Sequence, residues 1–264
     1  ANVELRPTFV SLVDDTGLGE DVVRQLRNHK VNTDYMLRTS DGMGTWLAVF
    51  NNDGDVCAAI SKRPDLRPLI ALLDEKGDEI FRDADSIALE LDMDKEIVKR
   101  VFAYAQKYHK SVYAVVSNMT IAVERRDFLQ QTDCFVCNRQ EAGILFVEDF
   151  EDKTVEQMQQ ILLQKVKSAN IPRMIVTLGD VGAVYATADG ESGFCPAQPV
   201  HVRDTTGAGD AFFAGITIGL TYGKGMQDAC AIGTRLAAAT ICTLENVCPR
   251  FMPGEFGLEV PVTD

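Results

Sequence analysis

Apolar positions along the chain alternate between short continuous runs and stretches with helical spacing. The continuous runs predict strands at residues 9–13, 46–50, 56–60, 86–91, 112–117, 134–137 and 174–178. Helical spacing predicts helices at residues 20–28, 94–109 and 154–168, a short helix near residues 126–130, and two apolar helices after residue 210. Turn residues at 51–55 and 189–190 predict two hairpins. Alternating strands and helices are typical of an α/β protein with a mostly parallel sheet, which binds ligands beyond the carboxyl ends of its strands.

Composition is consistent with one α/β domain over residues 1–264, because 46% of these residues are hydrophobic and can form a sizeable core. The formal net charge is −13, and no basic cluster interrupts it, so nucleic acid and anionic membranes are poor partners. No apolar run approaches the roughly 20 residues of a membrane span, and no signal peptide is apparent. These features predict a soluble cytoplasmic protein.

The seven cysteines are predicted to be reduced thiols, since an odd, scattered set does not resemble a disulfide framework. Cys134 and Cys137 form a Cys-x-x-Cys within an apolar run. There is no second pair at metal spacing, which favours core packing over a zinc site.

The run at residues 204–215, Asp-Thr-Thr-Gly-Ala-Gly-Asp-Ala-Phe-Phe-Ala-Gly, predicts a tight loop that leads into a helix. The first backbone N–H groups of a helix have no helical partner, and the helix dipole adds partial positive charge there. Gly207, Ala208 and Gly209 are therefore candidates for binding an anion such as phosphate.

Asp210 is harder to explain, because a carboxylate beside an anion site repels the anion. One interpretation is a general base that takes a proton from a hydroxyl attacking a bound phosphate. The alternative is a residue that only caps the helix. The four residues 207–210 alone leave both interpretations open.

Residues 204–215 resemble the C-terminal signature of the PfkB, or ribokinase-like, family of carbohydrate and nucleoside kinases. Two further stretches resemble motifs of that family in the same order. Asn138-Arg139-Gln140-Glu141 is similar to its Asn-x-x-Glu motif, and residues 177–182, Thr-Leu-Gly-Asp-Val-Gly, are similar to its nucleotide-contacting turn. Taken singly, the first is also typical of a helix capping box, and the second of a simple tight turn.

The resemblance implies a ribokinase-like three-layer α/β/α sandwich with a small β lid. It also implies transfer of the γ-phosphate of Mg·ATP to a hydroxyl of a sugar or nucleoside, which requires mainly positioning and charge stabilisation. In that reaction Asp210 is the catalytic base and contacts the acceptor, and Gly207, Ala208 and Gly209 form the anion hole. No Gly-x-x-x-x-Gly-Lys-Ser/Thr run is present, which excludes a P-loop kinase.

The resemblance also implies sites for ATP, Mg²⁺ and K⁺. The residues concerned are Asn138 and Glu141 for the waters on Mg²⁺, Thr177, Gly179 and Gly182 for the nucleotide, Asn246 for the adenine, and Asp204 and Thr206 for a monovalent cation.

The N-terminal third departs from the family pattern, because it has no Gly-Gly hinge. Glu4 stands where relatives often have an acidic residue that holds a sugar hydroxyl. The spacing after it predicts that part of the lid is missing from this chain, near residues 4–9. The hairpin at residues 46–60 is the candidate for the remaining lid, which implies a homodimer through that element.

Three functional hypotheses remain at this point. The preferred one is an ATP-dependent sugar or nucleoside kinase, whose acceptor is not determined; residues 115–119 show a slight resemblance to pseudouridine kinases. The alternative is a catalytically weak regulatory protein that binds nucleotide or sugar on the same fold. A nicotinamide-dependent oxidoreductase is the third, but it lacks a Gly-x-Gly-x-x-Gly fingerprint.

Overall fold

The computed structural model of the chain describes residues 1–50, 56–117, 123, 124 and 126–259. The turn predicted at residues 51–55 lies outside these, as do Asn118 and Met119 of the stretch compared with pseudouridine kinases. Two compact units are present, Ala1–Ile80 with Asp94–Arg100 and Phe81–Met93 with Val101–Asp264. The single kinase domain expected over residues 1–264 stays a prediction.

The first unit contains two small sheets. Strands β1 (Ser11–Val13) and β2 (Met36–Arg38) are parallel and are connected by helix α1 (Gly17–Asn28). Strands β3 (Thr45–Phe50) and β4 (Val56–Lys62) form an antiparallel pair at the position of the predicted hairpin. Its role as a lid stays a prediction.

Helix α2 (Pro68–Arg82) follows β4 and was not predicted from the apolar pattern. Leu69 and Leu73, spaced by one helical turn, are each 2% exposed, and Phe81 near the end of the helix is 6% exposed. Gly77 and four acidic side chains, Asp74, Glu75, Asp78 and Glu79, interrupt the apolar spacing in the middle of the helix. The burial of these apolar side chains therefore outweighs the low helix propensity of glycine.

The rest of the chain supplies the main sheet and its helices. In chain order the elements are β5 (Ser86–Glu90), α3 (Lys95–Tyr108), β6 (Ser111–Val115), α4 (Arg126–Leu129), β7 (Cys134–Asn138), α5 (Arg139–Phe146), α6 (Val155–Ala169), β8 (Arg173–Thr177), β9 (Gly182–Thr187), β10 (Ser192–Pro196), α7 (Ala208–Thr221) and α8 (Met226–Ile241). The strand order is β10-β9-β8-β7-β6-β5. Strands β5 to β8 are parallel, and β9 and β10 continue the sheet antiparallel. The predicted mostly parallel sheet is confirmed.

Helices cover both faces of this sheet. Val136 and Ile175 on one face share a hydrophobic cluster with Phe212 and Ile216 of α7 and with Met226 of α8. Helix α6 packs on β8, β9 and β10. We place α6 on the opposite face, because the residues of β7 and β8 that alternate with the cluster are buried as well. The fold is therefore the predicted α/β sandwich.

Helices α7 and α8 touch through their backbones. A Cβ atom at Gly215 would lie 2.5 Å from the Cα atom of Gly233, and one at Gly219 would lie 2.8 Å from the Cα atom of Ala229. A Cβ atom at Gly233 would lie 2.8 Å from the carbonyl oxygen of Phe212. Glycine at these positions is what allows the two helices to approach this closely.

Cys134 and Cys137 are both buried in β7. Burial raises the pKa of the Cys134 thiol to about 12 and raises the pKa of Cys137 as well. Residues three apart in a strand face opposite sides of the sheet, so these two thiols do not converge on one metal. Within the described part of the chain, no group of three or more His, Cys, Asp or Glu side chains is placed to hold a metal ion.

Among the helices in the described residues, none combines the length and the apolar character that crossing a membrane requires.

Candidate functional site

The loop at residues 204–210 lies at the carboxyl edge of the main sheet. At its far end, helix α7 is tied to the amino edge, where the Thr221 hydroxyl is 2.6 Å from that of Ser86, the first residue of β5. The Tyr222 hydroxyl donates to Asp85 at 3.3 Å at the same edge. A helix of 14 residues is about 21 Å long and a five-residue strand about 17 Å. The N-terminus of α7 therefore reaches the opposite edge, where ligands bind in such folds.

Gly207 begins α7 in a conformation that favours glycine, with φ 81° and ψ −1°. It also packs against the backbone of Asn246: a Cβ atom on Gly207 would lie 3.0 Å from the carbonyl carbon of Asn246 and closer still to its oxygen. Both the backbone angle and this close approach require glycine here. The structure thus brings Asn246 next to the anion loop.

The backbone donors of the loop differ from one another. The N–H of Ala208 donates to the carbonyl of Thr205 at 3.2 Å, and that of Ala211 donates to Gly207 at 2.9 Å. For the N–H groups of Gly207, Gly209 and Asp210, no hydrogen-bond acceptor is found among the described residues. The amide of Ala208, which we expected in the anion hole, is thus used within the loop, whereas that of Asp210 becomes an additional candidate.

Gly209 has a different environment from Gly207. Its φ is not positive, and no protein atom of the described chain lies within 4 Å of the place where a Cβ atom would be. Neither backbone geometry nor internal packing therefore requires glycine at this position. An approach path for a bulky anion to the N–H groups is the remaining physical reason for it.

Asp210 is exposed and is the third residue of α7. The helix begins at Gly207 without a side-chain cap, and in the part of the chain that the structure describes no hydrogen bond reaches the Asp210 carboxylate. The capping interpretation of Asp210 is therefore not supported. Its carboxylate projects from the same helical turn that carries the unpaired N–H groups.

Asn138 and Glu141 form a reciprocal capping box at the start of α5. The Asn138 Oδ1 accepts from the N–H of Glu141 at 2.8 Å, and Glu141 Oε2 accepts from the N–H of Asn138 at 2.7 Å. Burial raises the pKa of Glu141, while the Asn138 N–H lowers it. Glu141 Oε1 takes no part in the box. The motif thus forms the capping box that was one of its two interpretations. One carboxylate oxygen of Glu141 remains for a further ligand.

Thr177 lies directly across from Asn138 in the pairing of β8 with β7. The two predicted nucleotide contacts are therefore neighbours at the carboxyl edge of the sheet. In the turn that follows, Gly179 has φ 64° and no protein atom of the described chain near its Cβ position. Gly182 has φ 134°, and a Cβ atom there would lie 2.8 Å from the N atom of Ala197, so packing of β9 against β10 explains this glycine.

Asp204 and Thr206 form a small turn before the loop. The Asp204 Oδ1 accepts from the N–H of Thr206 at 2.8 Å. This backbone hydrogen bond is the main cause of a lowered pKa for Asp204, so its carboxylate is ionised at neutral pH. Among the described residues, no Lys, Arg or His side chain forms an ion pair with this carboxylate. Glu4 lies in the first unit, where its carboxylate pairs with Lys30.

A further acidic group lies at this sheet edge, and sequence analysis did not identify it. Glu90 ends β5 and accepts two hydrogen bonds from Ser117, from the N–H at 3.0 Å and the hydroxyl at 2.8 Å. Asp92 nearby is only 8% exposed. Burial, and then the charge of Asp92, raises the pKa of Glu90 to about 7. In the sequence, the feature that could have indicated Glu90 is an acidic residue at the end of an apolar strand.

The family model described as pfkB family carbohydrate kinase matches residues 1–246 of the chain. The chain belongs to the PfkB family. The predicted enzyme class, a carbohydrate or nucleoside kinase, is confirmed by this match.

Individual PfkB relatives agree with the family match. Guanosine-inosine kinase of Exiguobacterium acetylicum is 32% identical over 240 residues, which cover 90% of this chain and 78% of that protein. Ribokinase of Bacillus subtilis is 23% identical over 238 residues, 89% of this chain and 75% of that protein. The structure of Arabidopsis thaliana ribokinase with ribose and ATP superimposes with a TM-score of 0.80 at 20% identity, over 97% of this chain and 83% of that one. The ribokinase fold is therefore confirmed.

In this PfkB chain, the raised pKa of Glu90 predicts that the free energy of unfolding depends on pH. Because its pKa is raised from 4.5 to about 7, the folded protein holds a proton that the unfolded chain has released between these values. The contribution of Glu90 to the free energy of unfolding therefore falls as pH rises from about 4.5 to about 7. Glu90→Gln removes that penalty and should stabilise the protein by up to about 3 kcal/mol at pH 8, and by much less at pH 5. Thermal unfolding at both pH values measures the difference; an equal change at both would contradict it.

Proposed function

We propose that this chain transfers the γ-phosphate of Mg·ATP to a hydroxyl group of a nucleoside or sugar. The observation that supports this proposal best is the first turn of α7. It combines backbone donors without protein acceptors in the described structure, an unobstructed path at Gly209, and the exposed Asp210 carboxylate. An anion site and a proton acceptor within one helical turn suit phosphoryl transfer.

In the proposed mechanism, Asp210 accepts the proton of the acceptor hydroxyl as its oxygen attacks the γ-phosphorus. The N–H groups of Gly207, Gly209 and Asp210 and the positive end of the α7 dipole stabilise the negative charge on the transferred group. ADP leaves, and the proton passes from Asp210 to solvent. The work of the protein is therefore positioning and electrostatic stabilisation.

Magnesium would neutralise phosphate charge in this reaction. The site is suited to it in one respect: Glu141 Oε1 is left over from the capping box and is near the edge where Thr177 and Asn138 meet. The described residues contain no cluster of acidic ligands for a tightly bound ion. This is the situation expected for Mg²⁺ held mainly by phosphates and water.

As the acceptor we propose a purine nucleoside. The support is the 32% identity with a guanosine-inosine kinase over 90% of this chain, against 23% with a ribokinase. The test is ADP release from Mg·ATP with guanosine, inosine, adenosine, pseudouridine, ribose, fructose and keto-deoxy sugar acids, using wild type and Asp210→Asn. A signal that requires guanosine or inosine and is lost in the variant supports the proposal. A signal only with sugars overturns the acceptor class, and no signal while ATP still binds favours the regulatory alternative.

A monovalent cation at Asp204 and Thr206 is part of the proposal. The ionised Asp204 carboxylate precedes the anion loop directly, so a cation there would add positive potential near the transferred phosphate. Replacing K⁺ by tetramethylammonium at constant ionic strength is expected to lower turnover several-fold. Equal initial rates in the two salts would remove the cation from the proposal.

We also propose a homodimer through the β3–β4 hairpin. Leu47 and Ile60 face each other in the pairing and are 59% and 70% exposed, and Val49 on the same face is 56% exposed. Leu47→Lys should convert the dimer to monomer in light scattering, whereas Leu18→Lys should not, although Leu18 on α1 is 73% exposed. A wild-type protein that is monomeric at micromolar concentration would contradict this proposal.

A further inference from the structure

The segment at residues 242–258, here called the C-terminal strap, follows α8 and passes the anion loop. At its start, the carbonyl of Ile241 accepts from the N–H groups of Arg203 at 2.8 Å and Asp204 at 3.4 Å. The end of α8 is thereby joined to the chain that enters the anion loop. At this end the strap and the anion loop are therefore both attached to the last residue of α8.

The middle of the strap lies against Gly207, the loop residue that precedes α7. The carbonyl group of Asn246 lies so close to Gly207 that no side chain fits between them. The residues around it are exposed, with Leu244 at 77% and Val247 at 45%, and they form neither helix nor strand. Thr243 ties the near end of the strap to the last turn of α8 through hydrogen bonds, so the far end needs an anchor of its own.

The far end of the strap is held by Arg235, which projects from α8. The guanidinium carbon of Arg235 lies 5.0 Å from the ring centre of Phe251 and 4.8 Å from that of Phe256. The two rings contact each other edge to face, with centres 5.4 Å apart. A planar cation that lies against two aromatic rings gains attraction from both.

Glu255 completes this clamp. Its Oε2 accepts from Arg235 Nη2 at 2.7 Å, and its backbone carbonyl accepts from Nη1 at 3.2 Å. The other carboxylate oxygen accepts from the N–H of Met252 at 2.9 Å. That backbone hydrogen bond and then Arg235 lower the pKa of Glu255, so the carboxylate is charged at neutral pH. One arginine thus contacts both rings and a carboxylate of the turn at residues 251–256.

We propose that Arg235 is a positioning residue for the phosphate-binding loop. By fixing the far end of the strap to α8, it keeps the Asn246 carbonyl against Gly207 and the loop amides directed at the anion. Arg235 itself does not lie in the loop, and it acts through the strap. The inference rests on the proposed function, since the loop must bind the phosphates of ATP for its position to matter.

The test compares Arg235→Met with a matched control, Lys165→Met. Lys165 also places a cation over a phenylalanine, 5.4 Å from the ring centre of Phe146, and pairs with a carboxylate, that of Glu148. Two quantities are measured for wild type and each variant: the dissociation constant of Mg·ATP by calorimetry, and amide hydrogen exchange of residues 204–210 and 242–250 without nucleotide.

In Arg235→Met, exchange in both segments should rise, and the dissociation constant should increase about tenfold, as expected when about a tenth of the molecules hold the competent loop. KM for ATP should rise in parallel, with kcat within about twofold at saturating ATP. Arg235→Lys, which keeps the charge but loses the planar stacking and the two-nitrogen contact with Glu255, should recover only part of the affinity. Lys165→Met should match wild type.

Unchanged exchange and unchanged Mg·ATP affinity in Arg235→Met would overturn the inference. An equal loss of affinity in Lys165→Met would overturn it too, because the effect would then be general destabilisation. If wild type itself binds no Mg·ATP, the proposed function fails; increased exchange at residues 204–210 in Arg235→Met alone would still support the positioning role.

Discussion

Asp210→Asn is expected to lower turnover by about 10²–10⁴ while Mg·ATP binding is retained, which is the usual effect of removing a general base. Asparagine has nearly the same shape as aspartate. It should leave the fold unchanged, because the Asp210 side chain has no hydrogen-bond partner in the described structure. The loss should therefore appear in kcat. Steady-state kinetics and calorimetry on the same preparation measure the two quantities.

Asp228→Asn provides a matched control for this variant. Asp228 occupies the same position in α8 that Asp210 occupies in α7, the third residue after a glycine that starts the helix without a side-chain cap. Both carboxylates interact with a helix dipole, worth about 0.3–1 kcal/mol, so both variants should lose similar stability. Only Asp210→Asn should lose turnover. Comparable activity in the two variants would remove Asp210 as the base.

Gly207→Ala should abolish most activity and destabilise the protein, whereas Gly209→Ala should affect only the ligand. At Gly207 the φ of 81° costs a side chain about 1–2 kcal/mol, and the Cβ atom would also collide with Asn246. At Gly209 the helical backbone accepts alanine, which is about 1 kcal/mol better than glycine as a helix former. We expect Gly209→Ala to keep or raise the melting temperature while weakening Mg·ATP binding at least tenfold.

Thermal unfolding and nucleotide titration of the two glycine variants separate these effects. A Gly209→Ala protein with wild-type affinity for Mg·ATP would exclude that amide from the phosphate site. A Gly207→Ala protein as stable as wild type would mean that the strap moves away from the loop without cost, which would also weaken the case for Arg235.

The edge of the sheet that carries the site could be predicted from the sequence, because the carboxyl ends of parallel strands share one edge. Asn138 and Thr177 are neighbours there, as that rule requires. The rule identifies which residues come to the edge. It does not identify which of them are needed for packing and not for ligand binding. Gly182, which lies where β9 packs against β10, is an example.

Local sequence alone does not distinguish the start of α7 from that of α8. Both helices begin after glycine and carry an aspartate at the third position, yet Gly225 has φ −68° where Gly207 has 81°. Gly207 also lies against the backbone of Asn246, which is distant in sequence, whereas no atom of the described chain lies near the Cβ position of Gly225. Glu90 was missed for a similar reason, since its environment depends on Ser117, which follows the neighbouring strand β6. Only the folded chain brings these pairs together.

The glycine contact between α7 and α8 makes the site sensitive to substitutions at residues that take no part in binding or catalysis. Because main chain meets main chain at Gly215 and Gly233, no rotamer change can absorb an added methyl group. The displacement would pass along α7 as a rigid body to its first turn, where Asp210 is five positions away from Gly215 in the chain. In a library of random variants, inactivating changes should therefore cluster at these buried glycines as well as around the loop, and a map of lost activity would outline a helix interface as though it were part of the catalytic centre.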